Sequence, residues 1–223
     1  MVTEPLLISE LFYSIQGEST WAGMPCLFLR LAGCNLRCTY CDARYSWEET
    51  AVAMTLAEIL GWVAQYPGIL VEITGGEPLS QAGVYPLMQA LLEDGRQVLL
   101  ETNGSLPLEE VPEEVHIIMD IKCPDSGMAA HNLPQNIELL RKRSQRQCRD
   151  EIKFVLSSTN DFHWARELVE QERLDQLAPV LFSPVRPLLD PADLARLLLE
   201  HRLKVRLQLQ LHTLLWPGQT RGV

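Results

Sequence analysis

The stretch Gly33-Cys34-Asn35-Leu36-Arg37-Cys38-Thr39-Tyr40-Cys41-Asp42 puts three cysteines on one short loop, with the spacing C-x3-C-x2-C. Three thiolates on such a loop can hold three irons of a 4Fe–4S cube and leave the fourth iron without a protein ligand. An open iron can bind a substrate or cofactor, whereas a fully ligated cluster does little beyond electron transfer. We therefore expect Cys34, Cys38 and Cys41 to be metal ligands.

Two other interpretations of the cysteine loop stay open on spacing alone. Three thiolates with a distant His or Cys can hold structural zinc, and cysteines also serve as small buried packing residues. Structural zinc sites usually pair C-x2-C with a second, similar knuckle, but Cys26, Cys123 and Cys148 are scattered singly. The spacing therefore favours an iron–sulfur cluster over zinc and over packing.

Composition limits the class of protein. The chain has 223 residues, 47% of them hydrophobic, which is enough for one core, so we expect a single domain over residues 1–223. The net charge of −10 argues against nucleic-acid binding, because phosphate contacts need Lys and Arg. We interpret the basic run from Arg141 to Arg149 as the solvated face of a helix rather than a polyanion site.

Targeting signals are not visible in the sequence. The first residues, Met1 to Pro5, carry no basic segment, and no run approaches the roughly 18 apolar residues of a membrane span. We therefore predict neither a signal peptide nor contact with a membrane. Six cysteines with a cluster of three suit a reducing compartment, so the predicted location is the cytoplasm.

Short apolar runs alternate with segments of helical periodicity, which predicts βαβ units, a parallel sheet and an α/β fold. Leu6–Tyr13 is ambiguous and is interpreted as a short N-terminal strand. The predicted strands are 27–31, 69–73, 97–101, 116–120, 151–156, 180–182 and 204–211. The predicted helices are 55–66, 84–93, 134–145, 161–172 and 190–200, the first with a capping box of Thr55 and Glu58. A closed eight-fold barrel typically needs about 250 residues, so a partial, open barrel of roughly six units is expected.

Polar residues and glycines follow the predicted strands. They include Gly33-Cys34, Thr74-Gly75-Gly76-Glu77-Pro78, Glu101-Thr102-Asn103-Gly104, Asp120 with Lys122, and His212. In parallel α/β folds the carboxyl ends of the strands are where ligands bind. Turn preferences explain Gly, Asn, Asp and Ser there, but they explain Glu77, Glu101 and Lys122 poorly.

The cysteine loop and the run Gly75-Gly76-Glu77-Pro78 together resemble the radical S-adenosylmethionine superfamily. Further runs are similar to those of the 7-carboxy-7-deazaguanine synthase family. They are residues 10–19, 28–31, 101–104, 120–127 and 208–212. The resemblance spans residues 10 to 212 and implies a partial, open (β/α)6-type barrel with parallel strands. The family converts 6-carboxy-5,6,7,8-tetrahydropterin into 7-carboxy-7-deazaguanine with loss of ammonia, on the route to queuosine.

The resemblance also implies the cofactors. A reduced 4Fe–4S cluster passes one electron to S-adenosylmethionine, whose carbon–sulfur cleavage gives the radical that takes a hydrogen from the substrate. The protein binds, orients and shields these groups. The positions that match cofactor-binding residues of the family are Tyr40, Cys41, Asp42, Gly75, Gly76, Glu77, Asp120, Ile121, Lys122, Phe182, Ser183, Pro184 and Val185. For Lys122 a structural ion pair is the alternative role.

The implied substrate carries a carboxylate and a pterin edge rich in hydrogen-bond donors and acceptors. Arg30 is the natural partner for the carboxylate, because a guanidinium binds two oxygens at once. Its alternative role is that of a surface-facing strand residue. The matching substrate-binding positions are Ile15, Gln16, Gly17, Glu18, Arg30 and Thr74.

One position departs from the family pattern. Many members carry a threonine that ligates Mg²⁺ after Cys41-Asp42, and this chain has Ala43 there. A methyl group cannot ligate a metal, so Mg²⁺ is expected to stimulate this protein weakly or not at all. The family also implies a homodimer and an electron donor such as flavodoxin. Two alternative functions are a glycyl-radical enzyme activase and a zinc- or iron–sulfur-stabilised binding protein.

Overall fold

A single mixed sheet carries the fold of this chain, whose computed structural model describes residues 4–146 and 149–223. Cys148 therefore lies outside the described residues. The strands are β1 (Leu6–Ile15), β2 (Pro25–Leu31), β3 (Val52–Met54), β4 (Leu70–Gly75), β5 (Val98–Thr102), β6 (His116–Asp120), β7 (Glu151–Leu156), β8 (Val180–Pro184) and β9 (Arg206–Leu207). Within the described ranges they form one nine-stranded sheet in the order β3-β1-β2-β4-β5-β6-β7-β8-β9.

The second to seventh helices pack on the outer face of this sheet, and the first and last lie at the carboxyl ends of its strands. The helices are α1 (Tyr45–Glu48), α2 (Leu56–Val63), α3 (Val84–Glu93), α4 (Pro134–Ser144), α5 (Thr159–Glu172), α6 (Leu174–Leu177), α7 (Pro191–Glu200) and α8 (Leu211–Leu215). The predicted capping box opens α2, since the Thr55 hydroxyl accepts from the Glu58 backbone N–H and the Glu58 carboxylate accepts from the Thr55 N–H. Within the described ranges, no helix is long and apolar enough to cross a membrane.

Strand direction confirms the predicted α/β class and the open barrel. From β2 through β4 to β9, every neighbouring pair of strands is parallel. Two antiparallel strands extend one edge, because β1 pairs with β2 and β3 pairs with β1. The two ends of the strand order do not pair with each other, so the sheet stays open.

Two apolar clusters lie on opposite faces of the sheet. The larger one packs the outer face against the helices and includes Leu29, Ile73 and Phe154. The smaller one lies on the concave face and comprises Cys26, Phe28, Leu70, Leu99 and Ile118, with Phe12 and Trp21 packed against it. The smaller cluster is an apolar patch on the concave face, and the polar residues lie beyond it at the carboxyl ends of the same strands.

The N-terminal and C-terminal strands differ from their sequence predictions. The ambiguous segment is the ten-residue strand β1, which pairs with β2 from Ile8 to Ile15 and with β3 at its start. The predicted strand 204–211 is wrong beyond Leu207, since only Arg206–Leu207 pairs with β8 and α8 begins at Leu211. The physical reason is a competing hydrogen bond: the Leu211 backbone N–H donates to the Gly17 carbonyl at 3.0 Å and turns the chain across the mouth of the barrel.

The basic run on α4 is only partly the solvated face that the sequence indicates. Lys142 and Arg146 are exposed, but Arg143 is buried and its Nε donates to Asp150 Oδ2 at 2.7 Å. Its Nη2 also donates to the Val115 carbonyl at 2.7 Å. Arg143 therefore ties α4 to the strands β6 and β7.

Candidate active site

A cavity of about 340 Å³ opens at the carboxyl ends of the parallel strands, where the sequence predicts a ligand site. The strands supply inward-facing side chains at every second position, because successive residues of a strand point to opposite faces. The strand residues that line it are Phe28, Arg30, Glu72, Thr74, Gly75, Glu101, Thr102, Ile118, Asp120, Lys153 and Val155. The cysteine loop, the loop after β1 and the C-terminal segment complete the wall.

The cysteine loop supplies one side of this cavity. Cys34, Cys38 and Cys41 all line it and are partly exposed to it. Burial raises the pKa of the Cys34 and Cys38 thiols, while the nearby Lys122 ammonium acts in the opposite direction. The Leu36 backbone N–H lies 3.4 Å from Cys34 Sγ. A cationic side chain and a backbone donor beside the thiols suit thiolates that carry an anionic cluster.

The three thiols do not converge on one point. Among the described residues, no group of three His, Cys, Asp or Glu side chains is gathered closely enough to hold one ion. A 4Fe–4S cube has a different demand, because each of its three protein ligands binds a separate iron. Three thiols that face one cavity are therefore compatible with such a cluster.

Two glycines at the end of β4 lie against the end of β2 and the start of the cysteine loop. A Cβ atom on Gly75 would stand 2.1 Å from the Leu31 carbonyl oxygen, and one on Gly76 would stand 2.0 Å from the Gly33 carbonyl oxygen. Gly75 also has a φ of 146°, which L side chains rarely adopt. Glycine is therefore needed at position 75 for the close approach of β4 to β2, and at position 76 for packing against the cysteine loop, quite apart from any ligand.

Glu77 connects the turn after β4 to the end of β5 through hydrogen bonds. It is fully buried, and its carboxylate accepts from the Leu79 N–H at 3.0 Å, the Thr102 hydroxyl at 2.9 Å and the Asn103 N–H at 2.7 Å. Burial raises its pKa, although these hydrogen bonds act in the opposite direction. Glu77 does not line the cavity. Its visible role is to join the end of β4 to the end of β5.

Asp120 and Lys122 form an ion pair beside the thiols. Lys122 Nζ donates to Asp120 Oδ2 at 2.7 Å, so the alternative role of Lys122 in an ion pair is present. Burial alone would lower the pKa of Lys122, but the Asp120 carboxylate raises it above its ordinary value. In the described part of the chain, the other oxygen, Asp120 Oδ1, is buried and accepts no hydrogen bond. An orphaned acceptor in the wall of a cavity fits a ligand that presents a hydroxyl or amine.

Arg30 reaches the cavity from β2 and is not a surface-facing residue, since only 16% of its side chain is exposed. Its Nε donates to Glu10 Oε1 at 2.9 Å. The Tyr45 hydroxyl donates to the same carboxylate oxygen at 2.8 Å. Glu10 therefore holds the guanidinium by its Nε and leaves the terminal nitrogens for a ligand.

A buried ammonium with two carboxylates forms the opposite wall. Lys153 Nζ pairs with Glu18 Oε2 at 2.9 Å and also with Glu101, whose other oxygen accepts from the Thr74 hydroxyl at 2.8 Å. Burial alone would raise the pKa of Glu101, but the Lys153 charge lowers it to about 2. Glu72 lies below them and accepts from the Gln16 side chain. Burial and the charge of Glu101 raise the pKa of Glu72 well above its usual range.

The C-terminal segment closes the remaining side. Gln210 Nε2 donates to Glu18 Oε1 at 3.0 Å and to Asp42 Oδ2 at 3.2 Å. His212 lies on α8 rather than at a strand end, and its ring packs beside Gly17. Three residues near the C-terminus also line the cavity, namely Gln219, Thr220 and Val223.

The cavity gathers most, but not all, of the residues expected from the sequence. Gln16, Gly17, Glu18, Arg30 and Thr74 line it on the side of the predicted substrate. Tyr40, Cys41, Asp42, Gly75, Gly76, Asp120 and Lys122 line it on the side of the predicted cofactor. Ile15, Glu77, Ile121, Phe182, Ser183, Pro184 and Val185 do not line it. Phe182 is fully buried in the outer core beside Phe154 and Phe162, and the roles of these seven residues stay predictions.

Sequence reasoning missed Glu72, Lys153, Tyr45 and Gln210 as cavity residues. The alternation of side chains along a strand could have identified Glu72 and Lys153. Residues two positions apart face the same side of a sheet, so Glu72 faces the same side as Thr74. In Glu151-Ile152-Lys153-Phe154-Val155 the same alternation places Lys153 on the concave face. An acidic or basic residue inside a buried parallel strand is unusual, so such a residue is a candidate for a binding site.

Comparison with known proteins gives the family. The model of the radical SAM superfamily matches residues 29–124. A 7-carboxy-7-deazaguanine synthase of Chlorobaculum tepidum is 46% identical over 100% of both chains, and that of Koribacter versatilis is 42% identical over 97% of this chain and 99% of the relative.

Solved structures agree on the fold. The crystal structure of QueE from Escherichia coli superposes with a TM-score of 0.74 at 23% identity, covering 92% of this chain and 94% of that chain. Streptococcus suis SuiB bound to the precursor peptide SuiA gives a TM-score of 0.59 at 17% identity, covering 82% of this chain and 47% of that one. The cysteine loop and the glycine turn lie together at the carboxyl ends of β2 and β4. With these two motifs and with 46% identity over its full length, the chain belongs to the 7-carboxy-7-deazaguanine synthase family of the radical SAM superfamily.

Proposed function

We infer that the chain is a radical S-adenosylmethionine enzyme that converts 6-carboxy-5,6,7,8-tetrahydropterin into 7-carboxy-7-deazaguanine with release of ammonia, a carbon–nitrogen lyase of queuosine biosynthesis. One observation carries the proposal: a single cavity joins the three thiols of the cysteine loop to Arg30 and to the carboxylates of Glu18 and Glu101. Its volume of about 340 Å³ is in the range of small-molecule sites, roughly 300–1,000 Å³.

The cofactor side follows from the residues that face the thiols. Cys34, Cys38 and Cys41 would hold a 4Fe–4S cluster, and Asp120 Oδ1 is free to accept from the ribose or amine of S-adenosylmethionine. When bound, these groups supply one-electron chemistry that removes a hydrogen atom from an unactivated carbon. The chain itself binds both groups, orients them and keeps water from the reacting atoms.

The substrate side is matched in charge to a carboxylated pterin. The terminal nitrogens of Arg30 can bind the carboxylate in a forked geometry. Glu18 and Glu101 can accept from the N–H groups at the other end of the ring. The strands β2 and β5 lie two strands apart, roughly 10 Å, which leaves room for a bicyclic ring between the two walls.

A product assay tests the proposal. Reduced, cluster-reconstituted protein is mixed with S-adenosylmethionine and 6-carboxy-5,6,7,8-tetrahydropterin, and the products are separated by chromatography. We expect both 5′-deoxyadenosine and 7-carboxy-7-deazaguanine, and neither from Cys38→Ala. Formation of 5′-deoxyadenosine without 7-carboxy-7-deazaguanine would refute the proposed substrate. The activase alternative is not favoured, because the full-length relatives carry the synthase name.

The Mg²⁺ requirement is expected to be weak. Ala43 lines the cavity where many family members carry a hydroxyl ligand, and the adjacent Asp42 carboxylate is already engaged by Gln210. Turnover with EDTA and with added Mg²⁺ measures the dependence, and we expect less than a severalfold difference. Restoring the hydroxyl in Ala43→Thr is expected to increase the stimulation. A strict Mg²⁺ requirement of the unchanged protein would contradict this prediction.

Three further properties are proposed from the family resemblance. We propose a cytoplasmic homodimer that receives electrons from a small redox protein such as flavodoxin. Light scattering after size-exclusion chromatography tests the dimer, and a monomer at micromolar concentration would reject it. Turnover supported by reduced flavodoxin in place of dithionite tests the electron donor.

A further inference from the structure

Lys153 is the most deeply placed charge of the cavity wall. It stands on β7, only 5% of its side chain is exposed, and its ammonium contacts two carboxylates from different segments. Glu18 comes from the loop after β1 and Glu101 from the end of β5. The loop also contacts the start of β7, where the Thr20 N–H donates to the Glu151 carboxylate, and the ammonium is the contact that brings Glu18 beside Glu101.

The charges around Lys153 keep its ammonium protonated. Burial alone would lower the pKa of Lys153, but Glu101 and Glu18 raise it, so the ammonium keeps its proton. Asp120 on β6 adds negative charge nearby, Glu72 on β4 is the buried carboxyl whose pKa is raised, and Arg30 on β2 adds positive charge. Lys153 donates to both Glu18 and Glu101, and its charge lowers the pKa of Glu101, which therefore remains an acceptor of hydrogen bonds.

We propose that Lys153 is a positioning residue that holds Glu18 and Glu101 as paired acceptors and thereby selects a ring that presents adjacent N–H donors. This inference rests on the proposed function and refines it. A pterin presents a 2-amino group and a neighbouring ring N–H at the end opposite its 6-carboxylate. A lumazine presents an oxygen in place of the amino group, and that oxygen would face a carboxylate with no proton between them.

Removing the ammonium should change what the wall can recognise. Two acidic groups left close together in a poorly solvated site take up a proton, because burial and mutual repulsion both disfavour the charged forms. A protonated carboxyl donates a hydrogen bond. The wall of Lys153→Met would then accept the lumazine oxygen and oppose the pterin amino group, so selectivity between the two rings should fall.

Binding measurements test the proposal without turnover. Dissociation constants of 6-carboxypterin and 6-carboxylumazine are measured by calorimetry on cluster-reconstituted protein with S-adenosylmethionine present. The unchanged protein should prefer the pterin by at least about tenfold. Lys153→Met should lose most of that preference, and Lys153→Arg should retain it, since it keeps the charge. Lys142→Met, an exposed lysine on α4, is the matched control and should leave the ratio unchanged.

Misfolding of one variant does not remove the test. If Lys153→Met fails to fold, the double variant Lys153→Met/Glu101→Gln conserves the net charge of the pair and should also lose the pterin preference. An unchanged selectivity ratio in a folded Lys153→Met or in the double variant overturns the proposal. Failure of the proposed function is separate: a protein that binds the pterin with Lys153-dependent selectivity but makes no 7-carboxy-7-deazaguanine would refute the function alone.

Discussion

Arg30 meets the cavity with one nitrogen already occupied by Glu10. Such a held guanidinium loses little freedom when it binds a carboxylate. We expect Arg30→Ala to raise the KM for the pterin roughly tenfold to a hundredfold, because a hydrogen bond to a charged group contributes about 1.5–3 kcal/mol. Steady-state kinetics at saturating S-adenosylmethionine measure it, with the exposed Arg196→Ala on α7 as control. An unchanged KM would remove Arg30 from the substrate site.

Glu72 gives a pH dependence of stability. Its raised pKa means that the folded state holds a proton that the unfolded state releases above a pH of about 4.3. Stability contributed by this proton is present at low pH and falls by up to about 1.4 kcal/mol per pH unit until pH reaches the folded pKa.

Glu72→Gln removes this titration, because an amide keeps the shape of the neutral acid. We expect the free energy of unfolding of the variant to exceed that of the unchanged protein by an amount that grows as pH rises from 5 towards 8. Urea denaturation at several pH values measures the difference. A difference that does not vary with pH would show that Glu72 is charged in the folded state.

At the scale of elements, the turn after β4 and the cysteine loop behave as one unit. A Cβ atom on Gly76 would overlap the backbone of Gly33 and lie 2.9 Å from Cys34 Cβ. We expect Gly76→Ala to cost roughly 1–3 kcal/mol by overpacking and to displace Cys34, which lowers the iron content per chain.

The matched control for this substitution lies on α2. A Cβ atom on Gly61 meets nothing within 4 Å, and glycine inside a helix is unfavourable relative to alanine by about 1 kcal/mol. Gly61→Ala should therefore be neutral or stabilising and should keep its iron. Urea denaturation and iron analysis of both variants test the pair. Full iron content in Gly76→Ala would show that the two loops adjust independently.

Elements that owe their form to local pattern were predictable, and those that depend on distant partners were not. The Thr55 cap and the buried strand at Leu70 follow from adjacent residues alone. The end of the last strand depends on Gly17, almost two hundred residues away in sequence, whose carbonyl takes the Leu211 N–H. Arg143 is likewise fixed by Asp150 and by carbonyls before β6, contacts that no helical pattern contains.

At the scale of the molecule, the C-terminal tail reaches strand β1 beside the cavity. The Gly222 N–H donates to Glu10 Oε2 at 3.2 Å, and the Arg221 guanidinium lies 4.4 Å from the centre of the Tyr45 ring. Deleting residues 219–223 should raise the KM for the pterin severalfold, because the tail supports Glu10 and hence Arg30.

The same deletion should change stability little, since the tail is largely exposed. Thermal unfolding measures stability, and binding of S-adenosylmethionine serves as the internal control, which we expect to stay unchanged. A normal KM after deletion would mean that the tail covers the cavity without supporting it.

Parts of the candidate site that lie on one continuous stretch of sequence were predictable. Contacts between side chains of different strands or loops were not. The cysteine loop and the turn at Gly75 are continuous in sequence, and both reach the cavity as expected. The pairing of Lys153 with Glu18 joins residues 135 positions apart and depends on the curvature of the whole sheet. A sequence pattern gives the face on which such a side chain stands but not the partner that it meets.

The open edge of the sheet has a consequence for how such a site can change. In a closed barrel, strand number and stagger set the diameter of the interior. Here the loop after β1 closes over the cavity, where the Gln16 and Glu18 side chains attach it to Glu72 and Lys153. A backbone hydrogen bond from Leu211 to Gly17 attaches it to the C-terminal segment. A few substitutions in this loop can therefore change the width of the cavity opening. A wider or narrower ring could then be accommodated while the strands and the cysteine loop stay in place.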